Sequence, residues 1–300
     1  MPEPRRPLCA ETSTELGEPL AATASQVDRW ILLEYRGLWS PDPLRGSMLA
    51  DEVKSHLAEQ LAAAPRSRLL FIRRPRSEHH GIVGYTGTTP ESGGQFFRFE
   101  LESHEELVGL DLFGRDRGEA IETPLFAVCT HGKRDRCCAR YGRPLYDAVS
   151  DQIDPDWVWQ CTHVGGDRFA GNLVCFPEGL YFGRVGLGDV WPLLDDYLSG
   201  RIYVERYRGR CAYPMPVQAA ERELRISLGL SGIDDLQLVR SEQVDGTWRV
   251  SFAARGERHE LEIEAVEGEL AYLTCDADQA QRPRHFVVMK GSAAQDSTAV

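Results

Sequence analysis

Three cysteines stand within one ten-residue polar segment, CTHGKRDRCC at 129–138: Cys129, Cys137 and Cys138. From 129 to 143 the chain carries Lys133, Arg134, Arg136, Arg140 and Arg143 against the single carboxylate Asp135, in a protein of formal charge −12. Cations beside a thiol lower its pKa and favour thiolate, which is both the nucleophile and the metal ligand. A helix N-terminus following the segment acts in the same direction. A second segment, CTHVGGDRFAGN at 161–172, offers Cys161, His163 and, four residues on, Asp167. Gly165 and Gly166 lie between the last two, and a glycine pair lets the backbone pass close to something bulky. Two donors from a loop after one strand and two from a loop after another assemble a compact centre, so metal or redox chemistry is the first expectation.

The elements that must hold these loops read as an α/β chain. Residues 1–25 are polar and irregular. In the unit 26–113, strands are expected at 30–35, 68–73 and 96–101, a helix at 47–64, a loop at 76–95, and an edge strand at 107–112. His79 and His80 fall in that loop as solvated side chains. In the unit 120–204, strands are expected at 125–129 and 157–161, with a helical segment beginning at Pro144 between them. A hairpin (169–176 and 181–185) and an amphipathic helix (189–198) follow. The order β-α-β-β-β-α is that of a thioredoxin-like unit, and the chain is expected to fold as thioredoxin-like units with a mixed sheet flanked by helices. Residues 205–290 read as a small α+β appendage, with a helix at 216–230 and a hairpin at 248–265, and 291–300 as a frayed tail. No repeat with a period of 20–50 residues is visible.

Composition excludes several classes. An apolar share of 42% and a charged share of 27% belong to a globular chain, not a disordered one. The net acidity argues against a nucleic-acid partner. No apolar run approaches the roughly 20 residues that span a bilayer, and no apolar stretch follows Arg5 and Arg6 as a secretory signal requires. A reducing, cytoplasmic setting is therefore expected for the eight cysteines. Cys9, Cys211 and Cys275 read as scattered buried thiols, Cys175 as a core residue of a strand, and Tyr141, Trp157 and Trp159 as core packing.

The CTHGKRDRCC and GRPL elements, followed by HVGGDRFAGN and a YFGRV strand, resemble the sucrase/ferredoxin-like proteins, relatives of thioredoxin-like [2Fe–2S] ferredoxins. The resemblance runs over about residues 9–200 and includes the C…GEPL…WILLEY opening. It implies a [2Fe–2S] cluster held by two cysteines with eight residues between them and by two histidines in an HxxxH element. These positions are Cys129, Cys138, His163 and Asp167 here, with Cys137 and Cys161 as alternates for the fourth. Carboxylate in place of imidazole adds negative charge and lowers the potential, while the remaining histidine holds it above an all-thiolate cluster. Lys133, Arg134 and Arg136 offset the cluster's charge and offer a docking patch for an acidic redox partner.

The leading expectation is an electron carrier rather than an enzyme. One alternative is a cluster-free thiol-redox protein pairing Cys129 with Cys138, since adjacent cysteines pair only with strain. Another is a structural zinc site on the same donors. Glycoside hydrolysis needs two carboxylates flanking a sugar cleft, and no spacing here singles out such a pair. Walker A, GxSxG and helix-opening GxGxxG motifs are absent from the sequence.

Overall fold

The computed structural model describes residues 6–75 and 80–294. Residues 1–5 of the expected lead-in, His79, and residues 295–300 of the expected tail lie outside the described residues; His80 is exposed. In chain order the elements begin with α1 (Cys9–Glu15), β1 (Arg29–Glu34), α2 (Asp51–Ala63), β2 (Ser67–Arg73), β3 (Ile82–Thr88), β4 (Gln95–Leu101) and β5 (Glu119–Ile121). Then come β6 (Leu125–Cys129), α3 (Arg136–Ser150), β7 (Val158–Cys161), β8 (Leu173–Phe176), β9 (Leu180–Phe182), α4 (Val190–Leu198) and β10 (Tyr207–Arg210). The chain closes with α5 (Met215–Leu228), β11 (Gln237–Val244), β12 (Thr247–Ala254), β13 (Glu257–Glu267) and β14 (Arg284–Ala294).

The first ten strands form one mixed sheet in the order β10-β9-β8-β6-β7-β2-β1-β3-β4-β5. Read inward from either end, the two five-strand halves have the same internal order, with β6–β10 matching β1–β5. In the second unit β6 runs parallel to β7 and antiparallel to β8, which pairs antiparallel with β9. In the first unit β1 runs parallel to β2 and antiparallel to β3, which pairs antiparallel with β4. Each is a thioredoxin-like strand arrangement, and each gains one further antiparallel edge strand, β10 or β5. The two join edge to edge through antiparallel β2 and β7.

Alternation along the strands explains the layering. Trp30 and Leu32 of β1 share one core with Ala127 and Cys129 of β6, so both units bury a common face. Trp30 meets Phe176 edge-on at 4.9 Å between ring centroids, and Phe96 lies 4.8 Å from the same ring. The opposite faces are covered separately. Ile31 and Leu33 pack on Val53 and Leu57 of α2, and Phe126 and Val128 pack on α3 and α4. The four-stranded sheet β11-β12-β13-β14 packs on α5 around Val217, Phe252 and Ile263.

Several sequence expectations are corrected here. The segment 76–95 contains β3, whose glycines gave it the look of a loop. Gly84 and Gly87 stand opposite Phe99 and Phe96, and a Cβ at either would strike the facing ring. The absent side chains make room for cross-strand aromatics. Helix α3 begins at Arg136, eight residues before Pro144, because Asp135 caps it by accepting from the Cys137 N–H at 2.8 Å. Pro144 sits on its exposed side. Leu107 and Leu112 are core residues of a 3-10 turn and loop, and the edge strand is β5. The supposedly irregular lead-in contains α1, and β14 continues through 291–294 of the expected tail. The strand expected from 169 is shortened to β8 by a 3-10 turn at Asp167–Phe169, and the strand expected at 181–185 ends with β9 at Phe182.

Candidate metal centre

Cys129 ends β6, and Cys138 lies in the first turn of α3. The strand and helix meet closely because residue 142 is glycine: a Cβ there would collide with the Cys129 carbonyl oxygen. His163 follows β7, and Asp167 opens the 3-10 turn beyond the two glycines. The thiols of Cys129 and Cys138 and a ring nitrogen of His163 lie within 4.8 Å of one another. Asp167 Oδ1 is 3.3 Å from Cys138 Sγ and 3.0 Å from His163 Nδ1. The two cysteines and Asp167 are buried, while the His163 side chain is 22% exposed and forms the open side.

The histidine loop is held at every turn. Val164 O accepts from Ser25 Oγ and Arg68, Gly165 O from Arg208 at 2.9 Å, and Gly166 O from Asn172 at 2.9 Å. Gly165 (φ +98°) and Gly166 (φ +78°) adopt left-handed backbone, and a Cβ on Gly166 would meet the Arg208 guanidinium. The His163 N–H donates to His131 Nδ1 at 3.3 Å, and His131 Nε2 lies 2.9 Å from Ser40 O. Since Nδ1 accepts, Nε2 carries the proton to Ser40. The first unit thereby reaches the second unit's site through its own post-β1 loop. At the corresponding corner of the first unit, β1 ends in buried Glu34, whose carboxylate accepts from Val83 N and Arg36 Nε. That corner closes with a carboxylate and its partners, not with thiols.

The electrostatics favour a charged donor set. Hydrogen bonds from Cys138 and His163 hold the Cys129 thiol well below its ordinary pKa in spite of burial. The Cys129 sulfur, and burial, push Cys138 up. Burial pulls His163 down, but hydrogen bonds to Asp167 and Cys129 outweigh it and raise the imidazole to about 9. Burial raises Asp167, yet the His163 contact holds it below the usual carboxylate range.

Of the other residues singled out in the sequence, Lys133, Arg134 and Arg136 are exposed; Arg134 is near enough to act on Asp167, while Arg136 lines a surface cavity with Arg6 and Arg140. Cys161 sits opposite Cys129 in the β6–β7 register, and burial raises its pKa. Cys137 turns away from its neighbour Cys138 toward Cys9 and Cys275. Cys9 and Cys275 are therefore not scattered thiols; Cys211 is separate and lies 3.1 Å from Thr89 Oγ1. Cys175 and Trp159 are core residues as expected. His131 and Arg208 were missed. His131 stands inside the quoted cysteine motif, whereas Arg208 carried no local signal at all.

The family model described as sucrase/ferredoxin-like matches residues 20–209. Curated relatives carry the name "Altered inheritance of mitochondria protein 32". The Meyerozyma guilliermondii protein is 37% identical over 100 residues, 30% of this chain and 35% of the relative. The Debaryomyces hansenii protein is 33% identical over 100 residues, 30% of this chain and 36% of the relative. The Saccharomyces cerevisiae protein is 29% identical over 108 residues, 32% and 35% of the two chains. The match thus spans about a third of these relatives' length. Among solved structures, a thioredoxin-like [2Fe–2S] ferredoxin from Aquifex aeolicus is 20% identical, with a TM-score of 0.28 over 31% of this chain and 97% of its own. A cysteine-to-serine variant of that ferredoxin gives 20% and 0.26 over 28% and 97%. With the family model extending from the lead-in to β10, across both halves of the large sheet, this chain belongs to the sucrase/ferredoxin-like family.

Proposed function

We propose that this protein is an electron carrier holding a [2Fe–2S] cluster on Cys129, Cys138, His163 and Asp167. The observation that carries this reading is the convergence of two thiols from the β6–α3 junction with an imidazole and a carboxylate from the segment after β7. The donor chemistry suits such a cluster: Cys129 and Cys138 would hold it through sulfur, and His163 and Asp167 through nitrogen and oxygen. When bound, the cluster supplies one-electron redox chemistry at a potential set by its ligands and charge. The chain's own residues do the rest. His131 and the carbonyl partners of 164–166 orient His163, the buried walls exclude water, and the exposed edge of His163 is the side open to proton exchange. The exposed Lys133 and Arg134 would offer a cationic patch to an acidic redox partner. Eight free thiols among the described residues favour a reducing compartment, such as the cytoplasm. No helix among the described residues is long and apolar enough to cross a membrane.

One observation favours a second reading. The donors of Cys129, Cys138 and His163 lie within 4.8 Å of one another, which suits a single ion such as zinc. Two irons on these donors require the 162–167 loop to stand further from α3.

Anaerobic purification with visible spectroscopy and metal analysis decides between the two readings. A coloured protein with about two irons and two sulfides per chain, bleached by dithionite, is expected. Cys129→Ser and Cys138→Ser should each lose the colour. A colourless protein with one zinc lost in those variants would replace the cluster with a structural ion.

A further inference from the structure

A second group of sulfurs lies on the opposite side of the first turn of α3. Cys9 Sγ is 3.5 Å from Cys137 Sγ, Cys137 Sγ is 3.5 Å from Cys275 Sγ, and Cys275 Sγ is 3.7 Å from Cys9 Sγ. Both Asp135 carboxylate oxygens lie 3.7 Å from Cys9 Sγ. The four residues come from the start of α1, the cap and first turn of α3, and the β13–β14 connection. All are between 0% and 4% exposed.

Three sulfurs at nearly equal separations form a triangle. Tetrahedral zinc with bonds of about 2.3 Å holds its sulfurs about 3.8 Å apart, close to what is seen. A disulfide of about 2.05 Å would draw two of the three together and leave the third aside. The carboxylate adds a charge argument. Asp135 Oδ1 accepts from Cys137 N at 2.8 Å and Oδ2 from Cys275 N at 2.6 Å, yet among the described residues no cation pairs with it. A buried carboxylate facing three thiols lacks a counter-charge, and buried charges in proteins are paired or coordinate a metal.

We infer that Cys9, Cys137, Cys275 and Asp135 bind one structural zinc ion. Binding releases the thiol protons to solvent and forms three sulfur–zinc bonds and one oxygen–zinc bond, with no change of oxidation state. Asp135 keeps its two N–H partners and uses a remaining lone pair. Arg6, Arg136 and Arg140 line the adjoining surface cavity against one carboxylate, Glu11, and their excess positive charge offsets the negative charge of the loaded site. The ion fastens the N-terminal helix and the β13–β14 connection to α3. The same two segments already meet where Arg6 donates to Ala277 O at 2.6 Å and stacks over Tyr272. Because Cys137 precedes Cys138, the ion also fixes the turn that presents Cys138 to the first centre. The site stands independently of what that centre holds.

The test is zinc content by mass spectrometry of the full chain purified under reducing conditions, with and without each cysteine. In a Cys129→Ser background, which empties the first centre, about one zinc per chain is expected, lost at least tenfold on adding Cys9→Ser or Cys275→Ser and retained on adding Cys211→Ser. Should a serine variant fail to fold, cobalt loading of the unmodified chain gives a second reading. Thiolate-to-cobalt charge-transfer bands are expected, together with protection of Cys9, Cys137 and Cys275 from alkylation. The proposal fails if the unmodified chain takes up neither zinc nor cobalt. It also fails if Cys129→Ser holds no zinc, if zinc persists when Cys275→Ser is added to Cys129→Ser, or if peptide mapping finds a Cys9–Cys137 disulfide.

Discussion

At the scale of single residues, the two adjacent cysteines do different jobs because helical geometry turns successive side chains by about 100°. Cys138 faces His163 and Asp167, and Cys137 faces Cys9 and Cys275. Asp167 is the residue on which the first centre's character turns. Asp167→His removes one negative charge beside the donor set. It should keep the cofactor and raise the midpoint potential, read by spectroelectrochemical titration of the loaded protein. An unchanged potential with full iron would remove Asp167 from the ligand set. That Asp167 is a candidate was visible from its spacing to His163; that its carboxylate contacts both Cys138 and His163 is a tertiary fact.

At the scale of elements, the site depends on how closely α3 meets β6 and how firmly the 162–167 loop is held. Gly142→Ala puts a methyl group against the Cys129 carbonyl. The helix must shift, and a loss of about 1–3 kcal/mol is expected, with a lower melting temperature and reduced metal content. Arg208 is fully buried and bridges Thr23, Gly165 O and Asn172 Oδ1. Arg208→Met leaves those acceptors without their donor and should cost about 3 kcal/mol in urea unfolding. A variant as stable as the parent would show that the loop holds itself. The strand ending at Cys129 and the loops around the motifs were legible from apolar runs and glycines. The start of α3 was not, because Pro144 is the stronger local signal and Asp135 caps the helix nine residues earlier.

At the scale of the molecule, two thioredoxin-like halves share a sheet, and α5 fastens the C-terminal sheet to its edge. The fastening is polar as well as apolar. Glu221 accepts from Arg225 at 3.0 Å and from Tyr207 of β10 at 2.9 Å, and Arg225 also donates to Gly232 O and Ile233 O. Arg225→Met leaves the Glu221 charge buried without its partner. A loss of about 3–5 kcal/mol is expected by denaturant titration. A change below 1 kcal/mol would mean that water or another group satisfies Glu221. Thioredoxin-like units were legible in the sequence, but their joining edge to edge in one sheet was not, because the halves repeat about every 95 residues with unrelated side chains. Trp30-Ile-Leu-Leu and Phe126-Ala-Val-Cys share only their burial.

By itself the sequence determined which residues could be ligands, since donor chemistry is a property of side-chain type, and it determined the β-α-β order around them, since apolar periodicity and glycine placement are local. Tertiary structure alone decided how the eight cysteines divide. Cys9, Cys137 and Cys275 meet across separations of 128 and 138 residues. No local pattern encodes such distances; they follow from where the sheet, α3 and the β13–β14 connection come to pack.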